Sequence, residues 1–344
     1  MKTSDRTTLP GVIGVDIGGT KTHIALGVDG VIRREGFVRT STWRSPSVGP
    51  ATGETSNRAK VERNAKALSG LVLDLLGAEA VGLPVAVGAH GCDSTQQCLD
   101  LQRELARYFT NAVLVVNDAE LMPPAMGFPG GIGMVVGTGA IAVARDADGR
   151  LITAGGWGWV LGDEGSAAGI IREAVRAALG ELDRGRTGDP LVSALLTAFG
   201  AADGAELAMA VTHSSSADGW GSHAELVFAA ADEGSAVAAR VLAEAGAQLA
   251  GLIDRLAVRG VRTDWVVAGG AVIQKQPRLR DAVTAALAVA HPETRLTVLD
   301  RPPIYGALAL AGRTAPAGNT HPNDQQQEAP GNDVAVPPPS LPTS

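Results

Sequence analysis

Two short turns carry the residues best suited to holding phosphate. Gly18-Gly19-Thr20-Lys21 and Gly137-Thr138-Gly139 each sit between apolar runs. Glycine lets backbone N–H groups approach phosphate oxygens with no Cβ in the way. Thr20, Lys21 and Thr138 add side-chain donors. Neither turn is a Walker A loop, since GxxxxGK[ST] is absent, and neither is a GxGxxG opening a helix, so a Rossmann site is unsupported. A lone Gly-Gly-Thr turn usually only closes a hairpin. Two such turns, at equivalent places in a repeat, weaken that plain reading sharply.

Carboxylates stand beside these turns. Asp16 interrupts the apolar run GVIGVDI two residues before the first turn. A carboxylate there is costly unless it is paired or next to a cation. Beside a phosphate turn, a magnesium role is the functional reading, and an outward-facing Asp on a half-exposed strand is the plain one. Asn117-Asp118 follows AVLVV and precedes a helix, so Asp118 is either an N-cap or a base. Ligands gather at the carboxyl ends of strands in open α/β sheets, and a carboxylate there can take the proton of an attacking hydroxyl.

The elements that must position these groups follow from periodicity. Strands are expected at 11–17, 22–28 and 31–38, with an Asp29-Gly30 hairpin turn. Residues 41–56 read as a loop. From Asn57 a helical stripe runs through Val61, Ala65, Leu68, Val72 and Leu75. Strands at 83–88 and 112–116 flank a helix near 97–108. Shifted by 119 residues without gaps, 11–36 lies over 130–155 with eight of 26 positions identical, among them Gly14/Gly133, Gly18/Gly137 and Gly30/Gly149. This predicts two related domains, each opening with a three-stranded meander and a glycine-rich first turn. Helices follow at 163–180, 190–199, 223–232 and 236–258, then strand 264–268 into Gly269-Gly270, helix 277–290, strand 295–299 and helix 304–312.

Composition narrows the function classes. The 344 residues are 45% apolar and 3% aromatic, with 44 glycines, so a large core built on small aliphatic residues is expected. The net charge of −7 argues against a nucleic-acid binder. There is no run of about 18 unbroken apolar residues to span a membrane and no apolar leader near the N-terminus, so a cytoplasmic protein is expected. Cys92 and Cys98 cannot make a disulfide framework and lack CxxC metal spacing. The stretch from Ala315 to Ser344 is rich in Pro, Gln and Asn and is expected to be a disordered tail.

Taken together, these residues resemble the sugar-kinase, Hsp70 and actin superfamily. VIGVDIGGTKTHIAL is similar to its first phosphate motif, VVNDA to its catalytic strand end, MVVGTGAIA to its second phosphate motif and WVVAGGAVI to its adenosine motif. GGWGWVLGDEGSAAGIIREAV, residues 155–175, resembles the N-acetylglucosamine kinase and BadF/BadG-type ATPase branch, and GAHGCD at 88–93 resembles actinobacterial glucosamine kinases within it. The ordered resemblance covers about residues 11–312.

The resemblance implies an α/β fold of two actin-like (ribonuclease H-like) domains around a central cleft. Residues 1–118, completed by a C-terminal helix at 304–314, would form one domain and 119–303 the other. It implies that Asp118 is the base for a sugar 6-hydroxyl. Gly18, Gly19, Thr20 and Lys21 would form the first phosphate loop, and Gly137, Thr138 and Gly139 the second. Gly269 and Gly270 match the adenosine turn, Asp16 the metal-associated aspartate, and Asn117, Gly156, Trp157 and Glu164 sugar-side positions. The partners implied are magnesium-ATP and a hexosamine, with no nucleic acid and no membrane, and a homodimer is left open. His90 is either a plain core or surface histidine or a donor to a sugar hydroxyl. Asp93 either caps the helix near 97 or binds the sugar's amino group. Trp157 and Trp159 are core residues, or Trp157 packs on the sugar's apolar face.

The activity expected is ATP-dependent phosphorylation of glucosamine. The alternatives are an N-acetylglucosamine or other hexose kinase, a BadF-type activator ATPase holding an iron–sulfur cluster through cysteines, and a sugar-responsive regulator. Two cysteines weigh against the activator. The regulator would need a DNA-binding segment ahead of the first strand, where ten residues stand. Asp93, with Glu164 second, is the residue expected to read the amine, and Asp163 is counted among the sugar-facing acids.

Overall fold

The structure, a computed structural model, describes residues 11–45, 54–213 and 216–314. The segment from Ala315 lies outside the described residues. Two five-stranded mixed sheets carry the fold. The first contains β1 (Gly11–Ile17), β2 (Lys21–Val28), β3 (Val31–Arg39), β4 (Val85–Ala89) and β5 (Val113–Val116), in the order β3-β2-β1-β4-β5. The second contains β6 (Ile132–Val136), β7 (Ala140–Arg145), β8 (Leu151–Gly155), β9 (Trp265–Gly269) and β10 (Arg295–Val298), in the order β10-β9-β6-β7-β8. Read from the other edge, the second order is the first again. In each sheet the first three strands form an antiparallel meander and the last two add in parallel. The 119-residue repeat is therefore a repeat of structure. Gly30 and Gly149 both turn their hairpins at positive φ, +74° and +77°.

Helices cover the faces. α1 (Glu54–Leu76) and α2 (Thr95–Leu105) pack on the first sheet, where Ile13, Val15, Ile17, Val85 and Val87 meet Ala65, Leu68, Val72 and Leu101. α3 (Met122–Ala125) follows a 3-10 turn at Asp118–Leu121. The second sheet is covered by α4 (Ala167–Leu182), α5 (Pro190–Phe199), α6 (Gly204–His213), α7 (Ala217–Gly221), α8 (Ala224–Asp232), α9 (Ala236–Ala257), α10 (Ala271–Lys275) and α11 (Pro277–Ala290). α9 is long and apolar enough to cross a membrane by length and composition, but Val237, Val241, Leu249 and Ile253 are buried in the second core. α12 (Ile304–Thr314) closes the described chain.

The helix expected from residue 163 begins four residues later. Asp163 and Gly165 have φ of +55° and +78°, which no right-handed helix admits. Ser166 caps instead, its Oγ accepting from Gly169 N at 3.1 Å. α6 was not expected from the sequence. Only Leu207 and Val211 of it are buried, too few to make a clear stripe.

The two halves interlock through the helices that leave their last strands. α12 leaves the second sheet and packs on β1, β4, β2 and β5 of the first. The Asp118–Leu121 turn and α3 leave the first sheet and pack on β6 and β9 of the second. α12 and α3 also touch each other. Small residues make these approaches feasible. A Cβ at Gly14 would press on Leu308 and Ala307, one at Gly133 would overlap Ala119 O, and one at Gly306 would overlap Leu121 O. Gly14 and Gly133 are the same position in the repeat.

Candidate active site

Period-two alternation in β1 sends Ile13, Val15 and Ile17 into the α1/α2 core and leaves Val12, Gly14 and Asp16 on the α12 face. Parallel pairing then sets Asp16 level with Gly88, and Gly88 level with Val116. Two residues beyond Val116 the chain reaches Asp118. The carboxyl ends of β1, β4 and β5 thus deliver Asp16, His90 and Asp118 to one place.

Asp118 does not cap its turn. Asn117 does, with its Oδ1 accepting from Ala119 N at 2.9 Å. Its own N–H donates to Glu120 Oε2 at 2.9 Å, completing a capping box. Glu120 is anchored by Arg145 of β7, Nε to Oε1 2.6 Å. Asp118 is left with its half-buried carboxylate uncommitted to the backbone, 3.3 Å through Oδ2 from His90 Nδ1. That hydrogen bond pushes the His90 pKa above its usual value, against burial and the Arg44 charge. Asp16 is also half-buried. Burial first, then repulsion from Asp118, raises its pKa to about 6, while Lys21 opposes the rise.

The first turn is built tightly. Gly18 N donates to Lys21 O at 3.0 Å, and Thr40 Oγ1 donates to Gly18 O at 2.9 Å. Gly19 and Thr20 are exposed, and the position of a Gly19 Cβ lies 3.7 Å from the His90 ring. Lys21 Nζ rests 4.5 Å from the centre of the Phe37 ring. The turn, His90, Asp118 and Asp16 form one cluster.

Asp93 joins this cluster from the side. It does not cap α2, because Ser94 does, accepting from Gln97 N. The exposed Asp93 carboxylate instead accepts from Asn117 Nδ2 at 3.1 Å, and the same amide donates to Cys92 O at 3.2 Å. Arg44, whose charge acts on both His90 and Cys92, was missed by sequence reasoning; it stands in a Ser/Thr-rich loop with no motif to mark it. Cys92 and Cys98 are both free and buried.

The second turn forms a separate group. Gly137 N donates to Gly139 O at 2.9 Å, and Ala167 N at the start of α4 donates to Gly137 O at 2.9 Å. Gly137 and Thr138 line a cavity of about 240 Å³ with Ala271, Val272, Lys275, Gly221 and Glu225. Gly269 ends β9, the strand that leads to it, and Gly270 follows as the residue before α10. Gly270 holds φ +104°, and a Cβ there would lie 2.5 Å from Val136 O, so only glycine fits between β9 and β6. Asp163, expected to face a sugar, is buried. Its carboxylate accepts from the backbone of Ala140 and Gly158, and its pKa is raised by burial despite those bonds. It braces the second turn, as its closeness to Gly139 shows.

Gly156, Trp157 and Glu164 belong to the loop after β8. Gly156 N donates to Ala140 O at 2.8 Å. Trp157 is 73% exposed, not a core residue, while Trp159 packs edge-on against Trp220. Arg172 holds the loop by donating to Trp159 O and Gly162 O. Glu164 lines a second cavity of about 430 Å³ with Leu161, Arg172, Arg176 and Glu244. Among the described residues, no hydrogen bond or ion pair joins Trp157 or Glu164 to the Asp118 cluster.

Among the described residues, no group of three or more His, Cys, Asp or Glu is placed to hold a metal ion. Asp16 nevertheless fits a magnesium ion carried by nucleotide phosphates. It is a hard oxygen donor, held half-buried beside a second carboxylate and a phosphate-type turn, where a divalent cation relieves the repulsion.

Two sheets of repeated order, interlocking helices and a glycine turn at each first hairpin define an actin-like ATPase fold. The model of the BadF/BadG/BcrA/BcrD ATPase family matches residues 13–307, and the chain belongs to that family. An N-acetylmuramic acid/N-acetylglucosamine kinase from Clostridium acetobutylicum is 27% identical over 314 residues, spanning 87% of this chain and 97% of that one. Among solved structures, a Chromobacterium violaceum protein provisionally assigned as an N-acetylglucosamine kinase superposes with a TM-score of 0.57 at 24% identity, over 88% of this chain and 99% of that one. A Porphyromonas gingivalis protein with the same provisional assignment superposes with a TM-score of 0.51 at 19% identity, over 87% and 98%. Both likenesses concern the fold.

Proposed function

We propose that the chain is an ATP-dependent sugar kinase that phosphorylates the 6-hydroxyl of a hexosamine, with glucosamine preferred. The observation that carries the reading is the position of Asp118. It stands at the end of β5, free of capping duty, beside both the first glycine turn's histidine neighbour and Asp16. The 27% identical Clostridium kinase supports the reaction class.

In this mechanism the sugar oxygen attacks the γ-phosphorus and the bond to the ADP oxygen breaks. The hydroxyl proton passes to an Asp118 oxygen. Gly18–Lys21 and Gly137–Gly139 offer backbone and side-chain donors to the phosphates, and the cavity beside Gly270 takes the adenosine. Asp16, together with the nucleotide phosphates, would hold magnesium, which would supply charge neutralisation. Closure of the cleft brings the two turns to one nucleotide, with residues 1–118 plus 304–314 moving against 119–303.

Asp93 supports the preference for glucosamine. Its carboxylate is exposed beside Asn117 and is not used as a helix cap. Glucosamine's amine is partly cationic near neutrality, and a charge-assisted hydrogen bond contributes roughly 1.5–3 kcal/mol, about tenfold to a hundredfold in selectivity. The test is ADP release over glucose, glucosamine, N-acetylglucosamine and mannose, in wild type and Asp93→Ala. The reading expects a glucosamine preference in kcat/KM that collapses in Asp93→Ala while glucose turnover persists. A wild type that favours N-acetylglucosamine refutes the preference and leaves the kinase. The burial of both thiols weighs against the activator reading, which needs cysteines to hold an iron–sulfur cluster between subunits.

A further inference from the structure

His90 occupies a place that a sugar-hydroxyl donor would not require. Its backbone N–H donates to Ile17 O at 2.8 Å, tying it to the end of β1. One edge of its ring, Cδ2 and Nε2, lies against Gly19 of the first phosphate turn, 3.7 and 3.8 Å from where a Cβ would stand. The opposite edge presents Nδ1 to Asp118 Oδ2 at 3.3 Å. The ring therefore spans the gap between the phosphate turn and the proton acceptor, and the backbone bond fixes where it starts.

We propose that His90 is a positioning residue for phosphoryl transfer: wedged between Gly19 and Asp118, it sets where the Asp118 carboxylate stands relative to the phosphates. The inference rests on the kinase reading above. With Nδ1–H donated to Oδ2, the other carboxylate oxygen is left to face the sugar hydroxyl. Any shift of the Gly18–Lys21 turn on nucleotide binding is passed through the ring to Asp118. Transfer between bound groups depends steeply on such placement. The charged groups acting on the ring are Asp118 from the β5 end, Asp93 from the turn after β4 and Arg44 from the loop after β3. Only Asp118 also bonds it.

The side chain is 60% exposed, so its replacement leaves the fold intact, which thermal midpoints verify. Steady-state kinetics are measured for wild type, His90→Ala, His90→Asn, Asp118→Asn and the double variant His90→Ala/Asp118→Asn. The expected result is a loss of roughly tenfold to a hundredfold in kcat for His90→Ala, the scale of one hydrogen bond to a charged group, with the sugar KM within about threefold of wild type. His90→Asn, whose amide N–H falls near the position of Nδ1, recovers most of the loss. In the Asp118→Asn background, His90→Ala costs almost nothing more, because the residue it positions is already disabled. A loss confined to the sugar KM, or an equal loss in both backgrounds, overturns the inference. A wild type that turns over sugar with His90→Ala unaffected removes the inference alone. A wild type with no sugar-dependent ADP release removes the kinase reading and the inference with it.

Discussion

Replacing Asp16 by Asn should stabilise the protein and disable it. Asp16 ionises in the folded protein near pH 6, against 3.8 for the free group. The rise from 3.8 to about 6 corresponds to about 3 kcal/mol, and half-burial with solvent relaxation lowers the expected effect to about 1–3 kcal/mol. The sign follows from proton counting. Between pH 3.8 and 6 the folded protein holds a proton on Asp16 that the unfolded chain has lost. Stability therefore falls as pH rises through that window, and the whole cost is present above pH 6. Asn carries no charge to desolvate and none to repel Asp118.

The assay is a series of thermal midpoints from pH 4 to 8 in chelator without nucleotide, on wild type and Asp16→Asn. The variant should melt several degrees higher at pH 7.5, and the difference should vanish toward pH 4. Magnesium-ATP should reverse the order, because wild type gains binding energy that the variant lacks. Catalysis should fall by at least a hundredfold. A variant that melts lower than wild type at pH 7.5, or a difference independent of pH, would refute the electrostatic reasoning.

Other outcomes follow from the same geometry. Asp118→Asn should lower kcat by ~10²–10⁴ with sugar KM little changed, since Asn117 keeps the cap; ADP-release kinetics decide it. Asn117→Ala should cost about 1 kcal/mol in chemical denaturation and also raise the KM for amino sugars, because the same amide holds Asp93. Gly270→Ala forces a Cβ onto Val136 O at positive φ, so nucleotide affinity measured by calorimetry should drop with thermal stability. Small-angle scattering should give a smaller radius of gyration with sugar and a non-hydrolysable ATP analogue together than with neither.

Much of this fold was legible because its signals are local. The meander of β1 to β3 announces itself through alternating apolar runs and Asp29-Gly30, and its copy through the ungapped repeat. The residues at strand ends were legible for the same reason, since sheet pairing carries them to one edge. What stayed hidden depends on contacts between distant segments. Asp163 and Glu164 are neighbours in an acidic motif, yet one is buried behind the second turn and the other lines a cavity against α4 and α9. A positive φ at Asp163 separates them, and nothing in the residue type signals it. Arg44 enters the cluster only because a 3-10 turn at Thr40–Thr42 redirects the chain after β3. Asp93 and Asp118 each fitted a helix-capping pattern, and each is displaced from that duty by a neighbour, Ser94 and Asn117, which holds an extended backbone and accepts the capping hydrogen bond.

The interlocked helices explain why the base sits where it does. A turn that only had to leave β5 could point anywhere. This one must send Ala119 against Gly133 and Leu121 against Gly306, so its path is fixed by both halves at once. Glu120, in the middle of that turn, is fastened to Arg145 of the second sheet. Asp118 is thus attached to the first sheet by sequence and to the second by packing. The carboxylate is therefore held by both halves at once, because Gly133 on one side and Gly306 on the other leave room for the turn that carries it.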